Sequence, residues 1–575
     1  MSIKLVKPSF WALAILCAIA LTLPFLVDMP ALADTLFVQA TEKPTLGSNI
    51  SLEKETPTSI SISTPLVISP VTITTPTKHP VIYKVPKNPA TQQELTPQEI
   101  AQKFNAVIFH RGLAPKALEY RRLGLQGSLM QYIIMEQLVG PPERVFSSPL
   151  EQTQECTKEE REWDGAWNNN VTMDKGAFCE IQDSIATGKT FDHDLNPSTP
   201  PIQATEDWFL HVRPFQSLET YRIVRNGGGG KAYYPNPDNK DWQEYFIARL
   251  LREMKGTPNH PKSGMDGIYL DNLELSWNKV RRDMCKPTLP ENCTSKLEEY
   301  QSSQEYGDVV FSFIKRIHNA LHTNNNNFPL WANMIEGAPW NSDSEWDRFE
   351  PYLEGGLLEA FALDWGNGYF SPSTIENQLK QAQKWLEKGN NYIAGAPGNS
   401  TNRDEQARFA LATYLLIAEG NNAYFSYSDR SNLYDYFWEY PEYYYNFGNP
   451  IEPYQQVSSN PKVLRRAFEC GSVEVDLTNK VPKFTIICPT ISSFTPSSGR
   501  AGTKVVITGT NFTGAKSVSF NKLAASFTVN SATQITATAP KGVTEGLISV
   551  QTPGGVANSK LKFTIDPGID PPSPI

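Results

Sequence analysis

Two acids in this sequence stand where a carboxyl group needs a reason. In Gly264-Met-Asp-Gly-Ile-Tyr-Leu-Asp-Asn-Leu-Glu-Leu-Ser-Trp an apolar run closes on Asp271 and Asn272. In Gly356-Leu-Leu-Glu-Ala-Phe-Ala-Leu-Asp-Trp, Glu359 lies between apolar neighbours. A carboxyl buried among apolar groups is costly unless it is paired or used. Desolvation also raises its pKa toward the range a general acid needs near neutrality. Such a pair suits glycoside chemistry, in which one acid protonates the leaving oxygen and the other attacks the anomeric carbon or activates water. Glu359 is the expected proton donor and Asp271 the charged partner. Glu336, in Leu330-Trp-Ala-Asn-Met-Ile-Glu-Gly, could replace either. The plainer alternative for Asp271 is a helix cap or a loop ligand.

Residue types that bind sugars surround these acids. Trp331, Trp340, Trp365 and Tyr424 offer faces on which a pyranose ring can stack. Asn272, Asn333, Asp364, His110 and Arg213 offer hydrogen bonds to hydroxyls. Each aromatic taken alone is more often core than platform, and their grouping at the ends of apolar runs favours the platform. No cofactor or metal is expected. The seven histidines are scattered, and no C-x-x-C, H-E-x-x-H, P-loop or G-x-S-x-G stands in this part of the chain.

Positioning these side chains requires a scaffold. Eight apolar runs, Phe104–His110, Leu129–Met135, Trp208–Val212, Gly267–Asp271, Pro329–Met334, Leu357–Leu363, Asn391–Ala396 and Ala423–Tyr427, alternate with amphipathic stretches. Strands alternating with helices imply parallel pairing through right-handed crossovers. Eight such units predict a (β/α)8 TIM barrel over residues 96–455. In that fold the C-terminal ends of the strands form the active-site mouth. Asp271 then falls on strand four and Glu359 on strand six.

The flanks read differently. Lys4 and Lys7, an apolar run from Phe10 to Val27 and Ala31-Leu32-Ala33 make residues 1–33 a signal peptide, with an N-terminal membrane anchor as the alternative. Residues 34–95 are rich in Pro, Thr and Ser, as an extended linker would be. Export places the chain in an oxidising compartment, either secreted or at the cell surface. There Cys156 with Cys179, Cys285 with Cys293, and Cys470 with Cys488 are expected to pair locally as disulfides. The first two pairs lie in long connections on the mouth side and would staple the walls of a cleft. Residues 456–488 suggest a β-hairpin appendage, and residues 566–575, with four prolines, a disordered tail.

Two resemblances follow from particular words. Pro489-Thr-Ile-Ser-Ser-Phe-Thr-Pro-Ser-Ser-Gly-Arg-Ala-Gly-Thr, Val506-Ile-Thr-Gly-Thr-Asn-Phe and Thr552-Pro-Gly-Gly make residues 489–565 resemble the IPT/TIG family. That implies a small all-β, immunoglobulin-like sandwich. Gly267-Ile-Tyr-Leu-Asp-Asn and Tyr234-Pro-Asn-Pro-Asp-Asn-Lys-Asp-Trp-Gln-Glu-Tyr make the barrel resemble glycoside-hydrolase-like families related to endo-α-1,4-polygalactosaminidases. The resemblance implies that Asp271 works with a carboxylate on strand six, here Glu359. The cysteine-bearing insertions and Glu336 depart from that pattern.

Together these readings predict an exported glycoside hydrolase acting on an extracellular or envelope polysaccharide. The alternative is a carbohydrate-binding or adhesive surface protein without turnover. Association with the cell envelope fits either reading. Nucleic acid is not an expected partner: 52 Lys and Arg against 61 Asp and Glu leave a net charge of −9, and a nucleic-acid binder needs a basic face.

Overall fold

A computed structural model describes residues 77–566 apart from 141–153, 162–176, 195–197, 214–220, 228–229, 258–260, 285–295, 324–325, 335–343, 366, 419, 421 and 430–433. The expected signal peptide, most of the linker, the proline-rich tail, Glu336, Trp340, Cys285 and Cys293 lie outside the described residues.

Eight parallel strands form the central sheet: β1 (Pro80–Tyr83), β2 (Ala106–Phe109), β3 (Ser128–Ile134), β4 (Gly267–Leu273), β5 (Leu330–Met334), β6 (Gly355–Leu358), β7 (Asn391–Gly398) and β8 (Ala423–Asp429). Each pairs with the next in chain order. The seam between β8 and β1 is drawn together just before β1. The Phe425 amide donates to the Lys78 carbonyl at 2.7 Å, and His79 Nδ1 donates to the Phe425 carbonyl at 2.8 Å. Burial lowers the His79 pKa to about 4, so the ring serves as a neutral donor in an aromatic cage.

Two expectations about the barrel need correction, and their effects on strand numbering cancel. The first strand is Pro80–Tyr83, inside the stretch read as linker. It was hidden because it is only four residues long and opens on a proline. The run Trp208–Val212 is not a barrel strand. Trp208 closes a 3-10 turn, and His211–Arg213 joins a small antiparallel sheet with Tyr221–Arg222 and Lys296–Leu297. Its apolar character comes from packing on the connection, where Trp208 meets Trp242 and Tyr245. Strands four to eight keep the numbers assigned from sequence.

The helices follow local chemistry. Pro97–Lys103 carries a full capping box, with the Thr96 side chain accepting from the Glu99 amide and Glu99 returning the bond. Lys240–Lys255 is capped by Asn239 and Ser303–Leu321 by Ser302. Their apolar faces pack against the outer face of the sheet in one continuous core. The long connection from β3 to β4 contains the helix Ala177–Thr187, the strands Leu138–Gly140, Val224–Gly227 and Gly230–Tyr233, and the disulfide Cys156–Cys179.

After the barrel the chain forms four antiparallel strands, Gln455–Ser459, Lys462–Phe468, Gly471–Asp476 and Val481–Ile486, rather than a single hairpin. Leu464, Phe468, Val473, Val475 and Leu477 join the barrel's own core, so this sheet completes the barrel body. Cys470–Cys488 ties its end down. Residues Thr490–Ile565 then build a separate β-sandwich around Val505, Ile507, Phe520, Ile535, Val550 and Phe563. Among the described residues no helix is long and apolar enough to cross a membrane.

Candidate active site

Side chains alternate along a strand, so every second residue of a barrel strand faces inward. Ile82, Ile108, Met130, Tyr269, Trp331, Leu357, Ile393 and Tyr424 fill the barrel interior as one cluster. Two residues further along the inward faces come Asp271 on β4, Asn333 on β5 and Glu359 just past β6. The pleat therefore delivers two acids and an amide from neighbouring strands to the same end of the barrel, the mouth.

The local backbone helps. Ala332 pairs with Leu270 and Met334 with Leu273, so β4 carries one extra residue at Asp271–Asn272. Asn272 takes φ 59°, a left-handed conformation that Asn tolerates better than most residues. Such bulges re-aim side chains at the ends of strands. Here the bulge lets Asn272 Nδ2 donate to Asp271 Oδ2 at 3.2 Å.

Asn333 joins the acids. Its Nδ2 donates to Asp271 Oδ1 at 3.0 Å and to Glu359 Oε2 at 2.9 Å. Two oxygens bonded to one amide nitrogen at those lengths lie no more than about 6 Å apart. The Tyr132 hydroxyl also donates to Asp271 Oδ2. The Tyr434 hydroxyl donates to Glu359 Oε1 at 2.7 Å. Burial and neighbouring negative charge hold both phenols well above their ordinary pKa, which keeps them protonated as donors.

The two acids differ in environment. Burial raises the Glu359 pKa, and the negative charge of Asp271 raises it further, to about 7. The bonds from Asn333 and Tyr434 and the charge of Lys279 oppose this shift without reversing it. Lys279 is itself buried in an ion pair with Glu136, from the start of the β3–β4 connection. That connection thus supplies the counter-ion of Lys279.

Other candidates fall in three groups. His110 lies at the end of β2, where it caps a short 3-10 turn through Nδ1. Its ring is 6.3 Å from that of Tyr83, which in turn is 5.3 Å from Tyr132. These rings stand on the Asp271 side of the mouth. Trp331 and Tyr424 are buried in the barrel interior, 6.0 Å apart, and are not rim platforms. Trp331 stands two residues before Asn333, which at ~3.3 Å rise per residue is about 6–7 Å deeper. Arg213 is drawn away by Glu298 in the small outer sheet. Asp364 binds Asn367 within its own loop, and Trp365 is partly buried against the outer core.

Sequence reasoning missed Tyr83, Tyr132, Lys279 and Tyr434. The run that bears Tyr132 reads as a strand, and the period of two places that side chain on one face with Met130. Tyr434 and Lys279 lie in connections and left no such signal.

The model of hypothetical glycosyl hydrolase family 15 matches residues 183–472, and that of the IPT/TIG domain matches residues 489–565. No curated protein matches the chain. Among solved structures, the glycoside hydrolase domain of PelA from Pseudomonas aeruginosa is 12% identical, with 63% of this chain and 97% of that chain covered and a TM-score of 0.33. A cycloisomaltooligosaccharide glucanotransferase from Paenibacillus sp. is 11% identical over 58% of this chain and 40% of its own, with a TM-score of 0.31. An auxiliary nutrient binding protein from Bacteroides thetaiotaomicron is 18% identical over 14% of this chain, with a TM-score of 0.13. This chain spans 21% of its length.

Proposed function

The chain belongs to hypothetical glycosyl hydrolase family 15, and on that premise we propose that it is an exported hydrolase of an extracellular or envelope polysaccharide, with Glu359 as proton donor and Asp271 as its partner. The observation that carries the assignment is the amide of Asn333 shared between the two carboxylates. A retaining glycosidase needs its carboxyls ~5–5.5 Å apart and an inverting one ~6.5–9.5 Å. The limit of about 6 Å set by hydrogen-bond lengths favours the retaining course.

Glu359, protonated on a substantial fraction of molecules at neutral pH by virtue of its raised pKa, gives its proton to the glycosidic oxygen as that bond to C1 breaks. Asp271 attacks C1 and forms a glycosyl ester. Glu359, now a carboxylate, takes a proton from water, the water oxygen bonds to C1, and Asp271 leaves with the ester's electron pair. Asn333 holds both acids in register throughout. The Tyr83 ring, 5.3 Å from that of Tyr132, is the better placed face for a sugar ring. The disulfides Cys156–Cys179 and Cys470–Cys488 support an oxidising destination.

The test is release of reducing ends from a panel of polysaccharides, followed by NMR of the anomeric proton of the first product. Retained configuration in the wild type and no release by Asp271→Asn or Glu359→Gln support the proposal. Full activity in both variants removes these residues from the chemistry. Inverted product removes the ester. Binding without cleavage across the panel replaces hydrolysis with carbohydrate recognition.

A further inference from the structure

A second cluster of donor atoms lies at the opposite end of the barrel. The helix Ser303–Leu321 carries His318 in its last turn, and His322 is its C-cap. Four residues apart on a helix, the two side chains share one face, and their rings stack with centroids 4.1 Å apart. Glu354 stands immediately ahead of β6, on the floor of the barrel. Its Oε1 lies 3.6 Å from His318 Nδ1 and 3.3 Å from His322 Nε2. One ligand atom from each residue falls within 4.8 Å of the others.

The remaining bonds orient these atoms. His322 Nδ1 donates to the His318 carbonyl at 2.8 Å, which leaves the Nε2 lone pair facing Glu354. His318 Nδ1 is buried with no hydrogen-bond partner. Glu354 Oε2 accepts the Leu330 amide at 2.7 Å, which leaves Oε1 for the histidines. Two imidazole nitrogens and a carboxylate oxygen can each donate an electron pair. Facing one point they need a proton or a metal cation between them, and the C-terminus of a helix favours a cation there.

We propose that His318, His322 and Glu354 bind one divalent transition-metal ion of the zinc type, with a further position open to water. Metal–ligand bonds of ~2.0–2.2 Å in tetrahedral array put the ligand atoms about 3.3–3.5 Å apart, and the separations of Glu354 Oε1 from the two histidine nitrogens, 3.6 and 3.3 Å, already lie near that spacing. Imidazole with carboxylate suits zinc and its neighbours and disfavours magnesium. The ion is a clamp. Glu354 hydrogen-bonds through its backbone to Leu330 at the start of β5 and Asn391 at the start of β7. A metal would therefore tie the end of the helix to three strands at once, remote from the hydrolytic carboxylates. The inference stands whether or not the chain cleaves a glycan.

The full chain, stripped with chelator, is titrated calorimetrically with Zn2+ and separately with Mg2+. One Zn2+ per chain, no Mg2+ and a rise in Tm with Zn2+ are expected. His322→Ala and His318→Ala should abolish that site, and Glu354→Gln should weaken it at least ~10-fold, since even losing a residue that only orients a ligand costs 10–100-fold. As a check that needs no variant, Zn2+ should protect His318 and His322 of the wild-type chain from carbethoxylation, read by peptide mass. Absence of 1:1 binding, unchanged binding in the folded histidine variants, or unprotected labelling overturns the proposal.

Discussion

The barrel and the C-terminal sandwich are both built from alternating strands, and they differ in what those strands turn inward. The sandwich buries Val505, Ile507, Val518, Phe520, Ile535, Ile548, Val550 and Phe563, an apolar core throughout. The barrel does the same at depth, with Ile108, Met130, Trp331, Leu357 and Ile393. One layer nearer the mouth it places Asp271, Asn333 and Glu359 in the equivalent inward positions. Strand architecture therefore does not require polar residues inside. The mouth bears a desolvation cost that the sandwich avoids, offset by the shared amide, the two phenols and Lys279.

Breaking the mouth should abolish activity and leave the fold. Asp271→Asn and Glu359→Gln are each expected to lower kcat by ~10²–10⁴-fold, the usual loss on removing a proton-transfer group, with an unchanged circular dichroism spectrum. Because Glu359 must be protonated to act, wild-type kcat/KM should fall as pH rises through about 7. A profile flat from pH 5 to 9 contradicts that role.

The reverse experiment breaks the sandwich and spares the mouth. Phe520→Ala removes a fully buried ring and should cost ~3–5 kcal/mol of sandwich stability. Calorimetry should show the loss in the transition belonging to the sandwich, while the rate per folded barrel is retained. A parallel loss of rate would make the sandwich part of the catalytic machinery.

Stability against pH sharpens the contrast. The folded state raises the Glu359 pKa from 4.5 to about 7, so between those values it binds more protons than the unfolded chain. Stability from this group is full below pH 4.5 and is lost as pH rises through 7. The loss amounts to about 3 kcal/mol at ~1.4 kcal/mol per pKa unit. Glu359→Gln should remove that slope and be the more stable protein at pH 8, as judged by urea unfolding. An unchanged slope in the variant would mean that the carboxyl is not buried in its charged form.

The smallest effect separates rim from interior. Tyr83→Ala should raise KM several-fold, the ~1 kcal/mol of one aromatic contact. Trp331→Phe should leave KM alone and lower Tm, because its indole is buried and packs against Gly355. A KM change with Trp331→Phe and none with Tyr83→Ala would return the platform to Trp331.

Much of this is legible in the sequence. Asp271 and Glu359 stood out because a carboxyl next to apolar residues is anomalous whatever the fold, and seven of the eight strands announced themselves by composition. Pro80–Tyr83 did not, because four residues are too few for a periodic signal. Trp208–Val212 misled because a buried connection has the same apolar composition as a buried strand. Trp331 and Asn333 looked equivalent, since both face inward and both suit sugar binding. Depth along the barrel axis separates them, and composition carries no measure of depth. The floor cluster is silent in the sequence for a similar reason: the His318–His322 spacing gains meaning only when Glu354, more than thirty residues away, is folded beside it.

The sequence by itself determined the alternation of strand and helix, the sandwich that follows, and the residues whose charge would be costly to bury. These are properties of neighbours along the chain, set by propensity, periodicity and hydrophobicity. Only the tertiary structure decided that Asn333 bridges the acids, that Tyr132 and Tyr434 complete their shells, and that Lys279 and Glu136 lie behind them. Those contacts join residues 26 to 143 positions apart. A hydrogen bond needs placement to within a few tenths of an ångström, which closure of the barrel supplies and local sequence cannot.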